Sequence, residues 1–297
     1  MKRRTFLQTA ALSALAAVSV SPLSNGQNSP VQQLRERRQQ LMENRASRRT
    51  QRKIPIALQV YSVCQMAQND LAATLAAIAK MGYDGVEFAG YYGKDPKDIR
   101  KMLDDNGLKC CGTHTGIGEL RGDRFERTAE IHKILGAKFM IVPGGIDGDL
   151  HDAEKSKRIA EEFNGWAEKA KPLGLFVGYH AHGGDAKLVE GVPAWERFFD
   201  ATVPAVLMQM DIGNYKDGGG DPYKMIEKFR GRSKTIHLKE SGQDNPIIGS
   251  GTVDWKRAFE LCETIGGTEW YVVEDEAGPS GTERIEKCIV ALRAMGK

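Results

Sequence analysis

From Ile54 onward, short apolar runs alternate with longer stretches in which apolar residues recur at helical spacing. The runs Ile56–Val60, Gly85–Phe88, Leu108–Thr113, Lys138–Val142, Leu175–His180, Val206–Asp211, Lys234–Leu238 and Trp270–Glu274 read as eight strands. The intervening periodicity predicts helices over Leu71–Met81, Pro96–Asn106, Arg124–Leu135, Ala153–Lys171, Pro193–Asp200, Pro222–Phe229, Trp255–Ile265 and Glu283–Ala294. Gly82, Gly107, Gly136 and Gly174 fall at helix-to-strand joints, where a left-handed cap is needed. Eight βα units in this length predict one α/β domain, a (β/α)8 TIM barrel spanning Ile54 to Lys297. An open doubly wound sheet is the weaker expectation, because no Gly-x-Gly-x-x-Gly follows the first strand.

The residues ahead of this pattern are of another kind. Met1–Gln8 puts Lys2, Arg3 and Arg4 before an apolar run from Ala10 to Val20, followed by small residues. That run is shorter than the ~20 apolar residues a spanning helix needs. Paired arginines followed by Phe6-Leu7 resemble a twin-arginine export signal, so residues 1–27 are expected to direct export to the periplasm or beyond. Residues 28–53 form a polar arm with eight basic side chains against Glu36 and Glu43. The formal charge of +3 therefore misleads: from Ile54 onward 31 basic residues face 37 acidic ones, a net of −6. A body of that sign is a poor partner for nucleic acid. No stable membrane insertion is expected after processing, and homo-oligomerisation is left open. Five cysteines (Cys64, Cys110, Cys111, Cys262, Cys288) lack paired metal-type spacing and read as buried thiols.

Where the strands stop is where chemistry gathers. The fifth run ends in Gly178-Tyr-His-Ala-His182, so the two imidazoles share one face of the strand at its carboxyl end. The next three runs end at Asp211, His237 and Glu274. His180, Asp211, His237 and Glu274 offer neutral nitrogen and anionic oxygen, a set that suits Mn²⁺, Zn²⁺, Co²⁺ or Fe²⁺ better than Ca²⁺, with Mg²⁺ admissible. Glu87 ends the second strand and His114 follows the third, both on the expected catalytic rim. Lys239 lies two residues beyond His237, where an ammonium could steady a developing enolate oxygen. Gln59 and Tyr61 follow the first strand and are weaker candidates for substrate hydroxyls, while Trp255 reads as a packing anchor.

Gly178-Tyr-His-Ala-His182, Met210-Asp-Ile-Gly213, His237-Leu-Lys239, Gly249-Ser-Gly-Thr-Val-Asp-Trp255 and Val272-Val-Glu274 resemble the sugar phosphate isomerase/epimerase family of xylose-isomerase-like barrels. The resemblance implies a divalent metal at His180, Asp211, His237 and Glu274, and proton transfer beside the carbonyl of a sugar or keto-sugar. It implies Glu274 as catalytic base, with Glu87, His182 or Glu276 supplying a second acid or base and Lys239 holding the enediolate. His114, Gln59 and Glu276 are expected to contact substrate. Epimerases of this group often carry glutamate where this chain has His180, which weakens a symmetric two-carboxylate mechanism. Elimination by a keto-glycoside lyase or dehydratase is the alternative on the same scaffold, and a non-catalytic carbohydrate-binding barrel is the alternative outside enzymes. A nuclease is disfavoured by the shortage of further ligands. No phosphate cradle of recognised spacing is visible, so a neutral sugar, oxidised sugar or glycoside is the expected substrate.

Overall fold

The computed structural model describes residues 53–297; the expected export signal and all of the arm except Lys53 lie outside the described residues. The eight strands of the barrel are β1 (Ile56–Gln59), β2 (Gly85–Phe88), β3 (Lys109–His114), β4 (Phe139–Val142), β5 (Phe176–His180), β6 (Leu207–Gln209), β7 (Thr235–Leu238) and β8 (Trp270–Val273). All neighbours pair in parallel, in the order β6-β5-β4-β3-β2-β1-β8-β7. The seam between β6 and β7 is closed by a parallel bridge between Asp211 and His237. Backbone bonds from Met208 N to Arg232 O and from His237 N to Met210 O, both 2.9 Å, complete it. Two of the expected metal ligands therefore also join the ends of the sheet.

The strands are wrapped by α1 (Leu71–Lys80), α2 (Pro96–Asp105), α3 (Arg124–Leu135), α4 (Ala153–Ala170), α5 (Ala194–Ala201), α6 (Pro222–Lys228), α7 (Trp255–Leu261) and α8 (Glu283–Ala294). The helix expected over Trp255–Ile265 leaves α-geometry at Cys262 and ends in a π-turn that closes on left-handed Gly267. Short helices at Cys64–Asn69 and Ile212–Asp217 were not expected; they fold loops that follow β1 and β6. Asp70, Asp95, Asp152, Asp221 and Asp254 each accept a backbone N–H at a helix start. Each such cap is worth about 1 kcal/mol and stiffens a loop on the side of the barrel where the strands end. Among the described residues all five cysteines are free, and no helix is long and apolar enough to cross a membrane.

Residues two apart on a strand share a face, and this sorts the barrel interior into layers. Below Glu87, His114 and His180 stand Gly85, Gly112 and Gly178. A Cβ at these glycines would meet Lys109 O at 2.4 Å, Phe139 O at 2.8 Å and Leu207 O at 2.7 Å respectively. The space they leave is filled by Trp270 together with Phe139, Ile141 and Leu207, which cluster in the interior. Outside the sheet, Tyr179 packs between Trp195 and Phe198, with ring centroids 5.4 and 5.7 Å away. β5 is thus held on both faces, and its end is a rigid platform for His180.

Two consequences can be measured. Gly178→Ala should lower stability by about 1–3 kcal/mol in urea unfolding, because the new methyl meets backbone that cannot retreat. His132, buried in α3, donates from Nδ1 to Thr128 O at 2.9 Å and accepts at Nε2 from Thr113 Oγ1 at 3.0 Å. Burial lowers its pKa below the ordinary value of 6.5. The unfolded chain then binds the extra proton, so stability falls as pH drops through 6.5, and His132→Gln should flatten that part of the stability–pH curve.

Candidate metal centre and cavity

The parallel register brings strand ends together in a fixed order. His180 pairs with Gln209 between β5 and β6, Gln59 with Glu87 between β1 and β2, and His237 lies beside Val272 between β7 and β8. One ligand atom from each of His180, Asp211, His237 and Glu274 can be chosen so that all four lie within 4.8 Å of one another. Bonds of about 2.0–2.3 Å to a common ion nearly bridge that spread. Asp211 Oδ1 caps the following short helix through Asn214 N at 2.7 Å. Its other oxygen, Oδ2, is buried with no hydrogen-bond partner. A carboxylate oxygen shut off from water and left unpaired is costly unless a cation meets it. The donor set and this orphaned oxygen fit a divalent transition metal.

The hydrogen bonds behind the ligands settle which ring nitrogens face inward. His237 Nε2 donates to Glu87 Oε2 at 2.6 Å, and Nδ1 faces Glu274 Oε2 at 2.5 Å and Asp211 Oδ2 at 3.9 Å. Nδ1 is therefore the atom available to an ion. Gln209 donates its amide to Glu87 Oε1 at 2.8 Å, which leaves Gln209 Oε1 to accept from His180 Nδ1 at 3.1 Å and His114 Nε2 at 2.9 Å. His180 then presents Nε2. This is the arrangement by which a second layer of carboxylate and amide groups orients metal-binding imidazoles.

Charge follows from the same contacts. Burial opposes the His237 cation, but Glu87 and Glu274 override it and push the ring up to about 10. Burial would raise Glu87, yet His114 and His237 hold it well below the carboxylate range. Burial likewise works against the Glu274 charge, and His237 with Lys239 outweighs it, bringing that carboxylate to about 2. Burial and then the neighbouring Glu274 charge push Asp211 up to about 7. Lys239 is raised despite burial by Asp211, Glu274 and Glu276 and stays an ammonium. Its Nζ donates to Glu276 Oε2 at 2.6 Å and stands 3.8 Å from Glu274 Oε1.

A cavity of about 470 Å³ opens over this cluster, lined in part by Tyr61, His114, His180, His182, Glu274 and Glu276. Not every residue singled out in the sequence reaches it. Gln59, expected at a substrate hydroxyl, is wholly buried and donates Nε2 to Glu87 Oε2 at 2.9 Å. Glu87, expected on the catalytic rim, is also wholly buried and lies beneath the cavity among Gln59, His114, Gln209 and His237. His182 stands edge-on to His180, centroids 4.8 Å apart, its backbone N held by Asp185 Oδ2 at 2.7 Å. Trp255 packs in the core as expected, but it also donates Nε1 to Glu240 Oε2 at 2.7 Å. Gln209 was missed in the sequence. Its signal was present: a lone amide in an apolar strand, two residues before Asp211 and so on the same face.

Residues 75–294 match the family described as xylose isomerase-like TIM barrels. The chain belongs to that family. Among the barrel's curated relatives is the inosose dehydratase of Lacticaseibacillus casei, 24% identical over 254 residues that cover 72% of this chain and 85% of the relative. Among solved structures, a sugar phosphate isomerase/epimerase from Parabacteroides distasonis superposes with a TM-score of 0.71 at 28% identity, over 81% of this chain and 94% of that one. The IolI protein, whose structure carries a bound zinc atom, shares the fold with a TM-score of 0.60 at 14% identity, over 82% and 96% of the two chains. The fold expected from the sequence is thus the observed one, and the relatives named here include an inosose dehydratase and a sugar phosphate isomerase/epimerase.

Metal analysis by plasma mass spectrometry should find Asp211→Ala and His237→Ala devoid of bound divalent ion. Glu87→Gln should retain the fold but bind Co²⁺ about 10- to 100-fold more weakly, the usual cost of removing an orienting partner. Because a cation must displace protons from His237 and Asp211, Co²⁺ affinity should rise with pH between about 6 and 9, with proton release seen in calorimetry.

Proposed function

We propose that this barrel is a divalent-metal-dependent lyase that acts on an uncharged keto-sugar or keto-glycoside, removing a proton beside the ketone and expelling an oxygen substituent from the next carbon. The observation that carries the reading is the withdrawal of Glu87 below the cavity floor. The carboxylates left in the cavity wall, Glu274 and Glu276, both follow β8, while His114 ends β3 and His182 follows β5 on the other side of the barrel. An epimerase of the two-carboxylate kind needs anionic bases on opposite faces of one carbon. An elimination needs one base and one acid, which imidazoles supply near neutral pH.

A cation held by His180, Asp211, His237 and Glu274 would supply Lewis-acid charge near the substrate oxygens. The chain's own groups do the rest. His114 Nε2 lies 2.9 Å from Gln209 Oε1 and 3.2 Å from Glu87 Oε2, two acceptors that keep the proton on Nε2. Nδ1 of the same ring is then its proton acceptor, with Glu87 behind it to stabilise the imidazolium that forms. His182 returns a proton to the departing oxygen. The electron pair of the broken C–H bond becomes the new C=C, and the products are an enone and water or an alcohol. Lys239 does not line the cavity; its ammonium, 3.8 Å from Glu274 Oε1, adds positive field from behind Glu274 that favours negative charge on the enolate oxygen. No guanidinium lines this cavity among the described residues, and Lys239 is already matched by Glu274 and Glu276. That balance favours a neutral substrate over a phosphorylated one.

Isomerisation or epimerisation by the same proton removal is the second reading, supported by the name of the Parabacteroides distasonis structure at 28% identity. Purified protein loaded with Co²⁺ or Mn²⁺ and given an inosose and 3-keto-glucosides in D₂O separates the two. Enone absorbance with release of water or alcohol supports elimination. Deuterium on the α-carbon without loss of a substituent supports the second reading. Neither outcome with any of these ketones overturns both. His114→Gln should lower kcat about 10²- to 10⁴-fold, the range for losing a general base, while its metal content stays that of wild type.

A further inference from the structure

The catalytic cavity does not end at its own wall. Tyr61 and Ala89, which line it, also line a neighbouring open groove of about 530 Å³. The groove's other walls include Gln65, Gln68 and Asn69, from the short helix after β1, and Tyr92, from the loop after β2. We infer that this groove is an outer carbohydrate subsite, which holds the second sugar ring of a glycoside whose reacting ring occupies the cavity. The inference rests on the proposed keto-glycoside chemistry for the identity of the inner ring, but the groove's own composition argues for the outer one.

That composition is uncharged. Gln65, Gln68 and Asn69 are exposed, and their carboxamides make no side-chain hydrogen bond among the described residues. Each carboxamide offers both a donor and an acceptor, as sugar hydroxyls require, whereas an anionic ligand would call for cations that the groove lacks. Tyr61 is one of the few large hydrophobic side chains left exposed, at 49%. An aromatic face is a platform for the C–H side of a pyranose, and a tyrosine adds a polar tip. At the junction of two pockets it can serve both rings.

Tyr92 gives an independent sign. Its backbone stands at φ +53°, the left-handed region that non-glycine residues adopt only when the surroundings hold them there. Its hydroxyl is shut off from water without a hydrogen-bond partner. Strained backbone and an unsatisfied polar atom collect at ligand clamps more than elsewhere.

The test is binding first and turnover second, on the full chain loaded with Co²⁺. Calorimetric titration with cellobiose, maltose and trehalose is compared with glucose. At least one disaccharide should bind about tenfold or more tightly than glucose. Gln68→Ala and Asn69→Ala, each at the surface and outside the cavity lining, should remove that advantage while glucose binding stays unchanged. Equal affinity for mono- and disaccharides, or variants that weaken both alike, would overturn the subsite. If a disaccharide binds with the expected preference but its 3-keto derivative is not turned over, the subsite stands and the proposed chemistry falls. If keto-sugars turn over with no preference for the glycoside, the chemistry stands and the subsite falls.

Discussion

A single buried carboxylate organises the centre of this barrel. Glu87 has no contact with water, and it accepts hydrogen bonds from Gln59, Gln209 and His237, with His114 close by. A charge so deep is tolerable only when fully paired, because its desolvation would otherwise cost several kcal/mol. Pairing it dictates the rest. His237 must turn Nε2 toward it and Nδ1 toward Asp211 and Glu274. Gln209 must give it an amide hydrogen and so keep its carbonyl oxygen for His114 and His180. The orientation of three imidazoles thus follows from satisfying one anion.

The second constraint is closure of the sheet. β6 and β7 meet through the Asp211–His237 bridge, so the same backbone contact that removes the sheet's open edge sets two candidate ligands side by side. Asp211 is further fixed by capping the helix that follows it. A ligand that is also a seam and a cap has little freedom, which is what a metal site needs to hold its geometry. Glycines beneath Glu87, His114 and His180 let bulky interior residues pack up against this layer from below. The floor of the cavity is therefore solid protein, and access comes from the side of the loops.

Those loops are tied down by side-chain contacts of their own. Glu240 accepts from Ser241 N, Gly249 N, Val253 N and Trp255 Nε1, at 3.1, 2.7, 2.9 and 2.7 Å, and so ties the segment between β7 and α7 into one piece. Lys239, immediately before it, is held where its ammonium spans Glu274 and Glu276. A (β/α)8 barrel is compatible with many reactions, and the residues at strand ends and in loops choose among them. His180 at the end of β5, His182 just after it and His114 at the end of β3 give this chain an imidazole wall opposite its carboxylates.

The eight strands, their order along the chain, and the four strand-end residues that converge could all be read from periodicity. A buried parallel strand is a short apolar run, and a period of two says which side chains share its inner face. That local rule puts His180, Asp211, His237 and Glu274 at the ends of four successive strands, and the structure brings their ligand atoms within 4.8 Å of one another, although Asp211 and His237 are wholly buried beneath the cavity wall. It could not say how deep each residue sits, because depth depends on strand stagger and on what packs beneath. Glu87 and Gln59, which the pattern alone puts at the strand ends, lie wholly buried beneath the cavity. Nor could it show Gln209 reaching Glu87 and His114, since those residues meet it only across the barrel interior, between positions as far apart as 122 in the chain. The closing bridge, the choice of ring nitrogen at each histidine and the groove beside Tyr61 are likewise products of distances between segments that no local pattern encodes. Periodicity determines faces and ends; only the closed barrel determines which ends meet.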